Sequence, residues 1–256
     1  MELSKGKQSI YGSLGSKKMR ARHSLFMVEG EKSVADTLNH YDLEAMAVRE
    51  GYVPEMIDIS SIPAERVYEV RDNVMQRLSS LSTSPSVIAV YHLPQPLSIN
   101  DLPPLKEADN ELYLMLDGIQ DPGNLGTIVR TAHWFGIRRI YASRDTADIY
   151  NPKTIQSTMG SLPHVEIVYC DLEEVADSRR DLPVYGLLLD GESIYDAGLG
   201  GNGFIVMGNE GKGISEGMRR KVTHRLLIPP YDSADHSESL NVAIATGITL
   251  SAFRRR

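Results

Sequence analysis

Short apolar runs alternate along this chain with segments whose apolar positions recur every three to four residues. Leu25-Phe26-Met27-Val28 reads as a buried strand, and Ser33–Leu38 as a helix. Ala45–Val48 and Val67–Val70 are again strand-like. Asp72–Leu81 carries Val74, Leu78 and Leu81 at helical spacing, and Val87–Tyr91 is a further strand. These signals predict a small α/β unit over residues 1–95.

The pattern resumes at Leu112–Leu116, a clear strand, followed by the turn Asp117–Gly123 and a helix starting near Asn124. Leu125, Ile128, Val129, Ala132 and Phe135 form one apolar stripe on that helix, with Arg130 at its border. Further strands are expected at Ile140–Ala142, Val165–Tyr169, Val184–Leu189, Phe204–Met207 and Leu226–Ile228. Helices fit Pro152–Met159, Leu172–Ser178, Ser215–Lys221 and Leu240–Phe253. The last is apolar nearly all round, as a helix buried in the protein or at a subunit interface would be. Strands alternating with helices imply a parallel sheet covered on both faces. Between the two patterned regions, residues 92–110 hold four of the 13 prolines and no periodicity. They predict a linker at 96–110, separating a domain over 1–95 from one over 111–256.

Charge adds a second contrast. The net charge is −7, which by itself counts against a nucleic-acid binder. Residues 1–24, however, hold Lys5, Lys7, Lys17, Lys18, Arg20 and Arg22 against Glu2 alone, a local +5. Such an arm can meet phosphate, or it can be a solvated tail. A single cysteine, Cys170, leaves no intramolecular disulfide and no multi-cysteine metal site, and the seven histidines show no metal spacing. No apolar run approaches the ~20 residues a membrane span needs. The N-terminus lacks the apolar stretch of a secretory signal, so a cytoplasmic location is the simplest expectation.

Three loops at strand ends carry candidate chemistry, since ligands of open α/β sheets bind at that edge. The first is Asp121–Arg130, with Asn124 as the expected helix cap. The second is Met207-Gly208-Asn209-Glu210-Gly211-Lys212-Gly213-Ile214, whose glycines permit close backbone approach to a ligand. It matches neither a Walker A loop nor G-x-G-x-x-G, and a glycine-rich turn without a ligand is the alternative. The third runs from Ile228-Pro229-Pro230 through Tyr231–Glu238 to Ser239-Leu240-Asn241, with Ser239 as the expected cap of the last helix.

With these three segments in this order, the second domain resembles the SpoU (TrmH-type) branch of the SPOUT RNA methyltransferases over about Tyr113 to Phe253. Asn151-Pro152-Lys153 and Met159-Gly160-Ser161 also look like family positions. The first domain is similar to the L30e-like substrate-binding domain of many members, through Lys17–Arg22 and Phe26–Gly30. Pro230 departs from the methionine usual in the third motif, and the span before Ser239 is longer than the family pattern.

The resemblance implies an α/β fold whose C-terminal segments form a deep trefoil knot, a rare exception to connection rules. It implies a homodimer through the C-terminal domain and S-adenosylmethionine as cofactor. The reaction would be methyl transfer to a ribose 2′-hydroxyl of structured RNA, ribosomal RNA before transfer RNA. Arg130, Asn124, Glu210 and Ser239 would act on the substrate. Met207, Gly208, Asn209, Gly211, Ile228, Pro230, Ser239, Leu240 and Asn241 would hold the cofactor. Lys17, Lys18, Arg20 and Arg22 would meet RNA. No metal is expected. An RNA-binding protein that had lost turnover would not need Asn124 and Arg130, and both are present.

Overall fold

A computed structural model of the chain describes residues 2–97, 111–232 and 237–255. It forms two compact units, one of residues 1–95 with 148–163 and one of residues 96–147 with 164–256. Residues 148–163 pack with the first unit, although the sequence pattern runs on from 111 without a break. Most of the expected linker, 98–110, lies outside the described residues.

The first unit opens with α1 (Lys5–Gly12) and α2 (Lys17–His23), then β1 (Leu25–Glu29), α3 (Glu31–Thr37) and β2 (Leu43–Arg49). β3 (Val67–Val70), α4 (Asp72–Leu78) and β4 (Val87–His92) complete its sheet, in the order β1-β4-β2-β3. β4 is antiparallel to both β1 and β2, while β2 and β3 are parallel. The basic arm is therefore not a solvated tail. Leu3, Tyr11 and Leu14 bury against Leu25, Met27, Tyr68 and Met75, so the arm is helical because one side of it is core. The Lys7 ammonium donates to Glu44 Oε1 at 3.0 Å and Tyr68 Oη at 3.2 Å, fastening α1 to the sheet. Alternate residues of β1 face opposite ways. Phe26 accordingly meets Tyr41, Tyr91 and Tyr150, with ring centroids 4.7–5.5 Å apart. Tyr150 lies in the 148–163 segment, whose helix α6 (Pro152–Thr158) packs on β1.

The second unit holds β5 (Leu112–Asp117), α5 (Pro122–Trp134), β6 (Arg139–Ala142), β7 (Glu166–Tyr169) and α7 (Leu172–Ser178). These are followed by β8 (Val184–Ser193), β9 (Gly203–Gly208), α8 (Glu216–Lys221), β10 (His224–Leu227) and α9 (Val242–Phe253). Its sheet runs β10-β8-β9-β5-β6-β7, and every neighbouring pair is parallel. The central strands are buried on both faces, as their unbroken apolar runs require. Among the described residues no helix is long and apolar enough to cross a membrane.

Candidate active site

The chemistry-bearing loops leave β5, β9 and β10 at their C-terminal ends. After β5, the carboxylate of Asp121 accepts the Asn124 backbone N–H at 2.8 Å and so caps α5. Pro122 takes the first helical turn, where its missing N–H costs nothing. Asn124 is thus inside the helix rather than its cap, which leaves its side chain for other partners. Its Nδ2 donates to Glu210 Oε1 at 3.0 Å, and its Oδ1 accepts from Asn241 Nδ2 at 3.0 Å. One amide joins all three loops.

The loop after β9 is held by its own backbone. Asn209 and Gly213 exchange two main-chain hydrogen bonds, and Asn209 Oδ1 accepts from the N–H groups of Gly211 and Lys212. Asn209 Nδ2 donates to the Gly118 carbonyl at 2.6 Å, and the Ser215 N–H donates to Asp117 at 2.7 Å, tying the loop to the end of β5. A Cβ on Gly208 would stand 2.4 Å from Gly213 C and Ile214 N, so only glycine lets the turn close. Gly211 is different: a Cβ there would meet only Asn209 Oδ1, at 3.7 Å.

The loops after β9 and β10, with residues 187–190 of β8, line a cavity of about 660 Å³, and no residue of the loop after β5, Asn124 included, is in its wall. Met207, Gly208, Asn209, Glu210 and Gly211 line it from one side, and Ile228, Ser239 and Leu240 from another. Pro230 and Asn241, expected at the cofactor, are not in its wall. Asn241 instead caps α9, accepting from the N–H groups of Ala243 and Ile244. That corrects the expectation for Ser239, which is exposed and precedes the cap. An asparagine directly before Val242 reaches the first unpaired helix donors, and Ser239 sits too far upstream. Arg130 is exposed on α5, six residues after Asn124, and is outside the cavity wall.

The wall also includes Leu187, Leu188, Asp190 and Arg219, which the sequence pattern did not single out. The apolar run at Val184–Leu189 was visible, but the longer strand carries Asp190 to the cavity edge. A hydrogen bond from Arg225, helped by the charges of Arg225 and Arg219, holds the Asp190 carboxyl below its ordinary range.

In the first unit, Lys17, Lys18 and Arg22 are exposed on α2. Arg20 is not: its residue is 2% exposed, and its guanidinium bonds inward to the Leu14 and Gly15 carbonyls and to Asp148. At helical spacing Arg20 faces away from Lys18 and Arg22, so it anchors the helix and is not available to RNA.

A model of the SpoU rRNA Methylase family matches residues 111–251, and one of the MRM3-like substrate binding domain matches residues 11–89. The 23S rRNA (guanosine(2553)-2′-O)-methyltransferase RlmP of Bacillus subtilis is 30% identical over 251 residues, covering 94% of this chain and 93% of its own. A solved TrmH-family structure from Porphyromonas gingivalis superposes with a TM-score of 0.81 at 35% identity, covering 100% of this chain and 99% of the other. The AdoMet-bound rRNA methyltransferase of Sinorhizobium meliloti gives 0.84 at 28% identity, covering 100% and 96%. With both its parallel-sheet unit and its full length matched in this way, the chain belongs to the SpoU rRNA methylase family.

Proposed function

We propose that this protein transfers a methyl group from S-adenosylmethionine to a ribose 2′-hydroxyl of ribosomal RNA. The observation that carries the reading is the bracing of Asn124 by Glu210 and Asn241 beside a glycine-walled cavity. Its volume, about 660 Å³, is within the range of small-molecule sites. The apolar side chains of Leu187, Leu188, Ile228 and Leu240 suit an adenine ring. The open space at Gly211 lets backbone approach a ligand where any side chain would intrude. The residues present therefore fit the cofactor. When bound, it supplies an already activated methyl group.

The chain's own part is to align the acceptor oxygen and assist its proton. Asn124, fixed at both ends of its amide, can present a defined face to a ribose. Glu210 orients that amide and has a second oxygen for a substrate hydroxyl. A guanidinium is a poor proton acceptor, so the role of Arg130 is electrostatic, on a phosphate or a developing alkoxide. Ser239, at the cavity rim, is a second positioning group for the ribose.

Three further parts of the reading follow the family. The segments after β9 and β10 form a trefoil knot, and the first unit is an L30e-like RNA-binding domain. The protein is a homodimer through its second unit. Exposed Trp134 (84%) on α5 and Ile244 (57%) on α9 support this, because α5 and α9 pack together and present apolar side chains to solvent. The setting is the cytoplasm.

The decisive experiment maps ribose 2′-O-methyl sites in ribosomal RNA from cells with and without the gene, alongside calorimetry with S-adenosylhomocysteine. One site lost with the gene, together with tight 1:1 binding per chain, is the expected result. An unchanged methylation map and no binding would overturn the reading. A stable monomer at micromolar concentration in light scattering would remove the dimer.

A further inference from the structure

The loop that follows β6 carries none of the three chemistry-bearing segments, yet it holds the backbone at the end of β5. The Ser143 main-chain N–H donates to the Leu116 carbonyl at 2.9 Å, and the Ala147 N–H donates to the Ile119 carbonyl at 2.8 Å. Asp117 and Gly118 lie between those two anchors. There the Ser143 side chain acts: its Oγ accepts the Gly118 N–H at 2.8 Å. The same hydroxyl donates to Asp145 Oδ1 at 2.6 Å. A serine hydroxyl has one hydrogen and two lone pairs, so the carboxylate fixes its rotation and leaves a lone pair for Gly118.

Gly118 is buried, and its φ of 75° lies in the left-handed region that glycine adopts readily. Both peptide groups that flank it are held. Its N–H goes to Ser143, and its carbonyl accepts from Asn209 Nδ2 at 2.6 Å. Asn209 Oδ1 accepts in turn from the N–H groups of Gly211 and Lys212, each at 2.9 Å, and both of those residues line the cavity. Ser143 and Asp145 are outside the cavity wall. A chain of hydrogen bonds thus runs from them through Gly118 and Asn209 to the main chain of the wall, all within the second unit.

We propose that Ser143 is a positioning residue for the cofactor. It fixes Gly118, and through Asn209 it sets where Gly211 and Lys212 stand in the cavity wall, while Asp145 holds the Ser143 hydroxyl in its working orientation. The inference rests on the cavity being the S-adenosylmethionine site, and it places a determinant of cofactor affinity on a loop outside that cavity. The reason is physical. Without the hydroxyl, the buried Gly118 N–H loses its acceptor, and an unpaired buried donor is costly enough to turn the peptide. The Gly118 carbonyl and the Asn209 amide shift with it. The main-chain bonds of Ser143 and Ala147 survive, so the loop after β6 stays in place while the wall moves.

The test is calorimetry of S-adenosylhomocysteine binding to the full-length protein, with circular dichroism to confirm that each variant is folded. Ser143→Ala should weaken binding about three- to tenfold, the range that the net contribution of one hydrogen bond spans. Ser143→Thr keeps the hydroxyl and should recover most of the affinity. Asp145→Ala, at an exposed position, frees the hydroxyl to rotate and should weaken binding to a smaller degree; it decides the matter if Ser143→Ala does not fold. Ser178→Ala removes a hydroxyl that bonds the Val175 carbonyl on α7, and it should bind as the parent does. Parental affinity in both Ser143→Ala and Asp145→Ala would overturn the proposal, as would a loss in Ser143→Thr equal to that in Ser143→Ala, or an equal loss in Ser178→Ala. In each of those cases a parent that binds leaves the cofactor reading standing. A parent that does not bind S-adenosylhomocysteine would overturn both.

Discussion

Arg20 offers the sharpest test of how the first unit is built. Its guanidinium is removed from water and makes three hydrogen bonds: 2.8 Å to the Leu14 carbonyl, 2.9 Å to Gly15 and 2.6 Å to Asp148. Arg20→Ala would leave two carbonyls and a largely buried carboxylate without these donors. Breaking a buried pair by removing one partner costs about 3–5 kcal/mol. A domain of ordinary stability has only about 5–15 kcal/mol to lose. With a urea slope of about 2 kcal/mol/M, the unfolding midpoint should fall by roughly 1.5–2.5 M. Asp148→Asn keeps the shape and one acceptor but removes the charge, so its loss should be smaller, about 1–3 kcal/mol. Lys17→Ala, three residues away on the exposed side of the same helix, should stay within about 0.5 kcal/mol. The assay is urea unfolding followed by far-ultraviolet circular dichroism. A loss under about 1 kcal/mol in Arg20→Ala would refute the argument and return Arg20 to the surface residues able to meet phosphate.

Gly211→Val should keep the parental unfolding midpoint, because its Cβ meets nothing closer than 3.7 Å, yet weaken S-adenosylhomocysteine at least tenfold in calorimetry by filling the cavity; parental affinity would show that the pocket is elsewhere. Arg130→Ala should keep cofactor affinity and lose about 10²–10³ in single-turnover rate, and Arg130→Lys should restore only part, since a point charge lacks the planar fork. Burial alone would raise the Glu44 carboxyl, but the hydrogen bonds from Lys7 and Tyr11 and the nearby charges of Lys7 and His92 bring it below 4.5. A lowered folded pKa stabilises above the unfolded value and is lost as pH falls through the folded one. The stability gap between parent and Glu44→Gln should therefore be full at pH 7 and close only as the pH falls below the ordinary glutamate range; a gap independent of pH in urea titrations would remove the ionised Glu44 from the account.

Much of this molecule is legible in its sequence because periodicity is a local property. β5 and the Leu125–Ala132 stripe of α5 follow from spacing alone, and the unbroken apolar runs of the central strands already require a parallel sheet with both faces covered. The three loops were identifiable for a related reason: glycines and polar side chains after an apolar strand mark the edge where ligands bind. Charge was a poorer guide. Lys17, Lys18, Arg20 and Arg22 look equivalent along the chain, and only the burial of one helix face separates the anchor from the three exposed cations. Capping was misplaced for a similar reason, because Asp121 and Asn241 compete with Asn124 and Ser239, and backbone geometry decides which oxygen reaches the unpaired N–H groups. The meeting of Asn124, Glu210 and Asn241, and the folding of residues 148–163 onto β1, join positions separated by dozens of residues in the chain. Such contacts depend on where strands lie in a sheet, and that order is set by packing of the whole unit rather than by any local pattern.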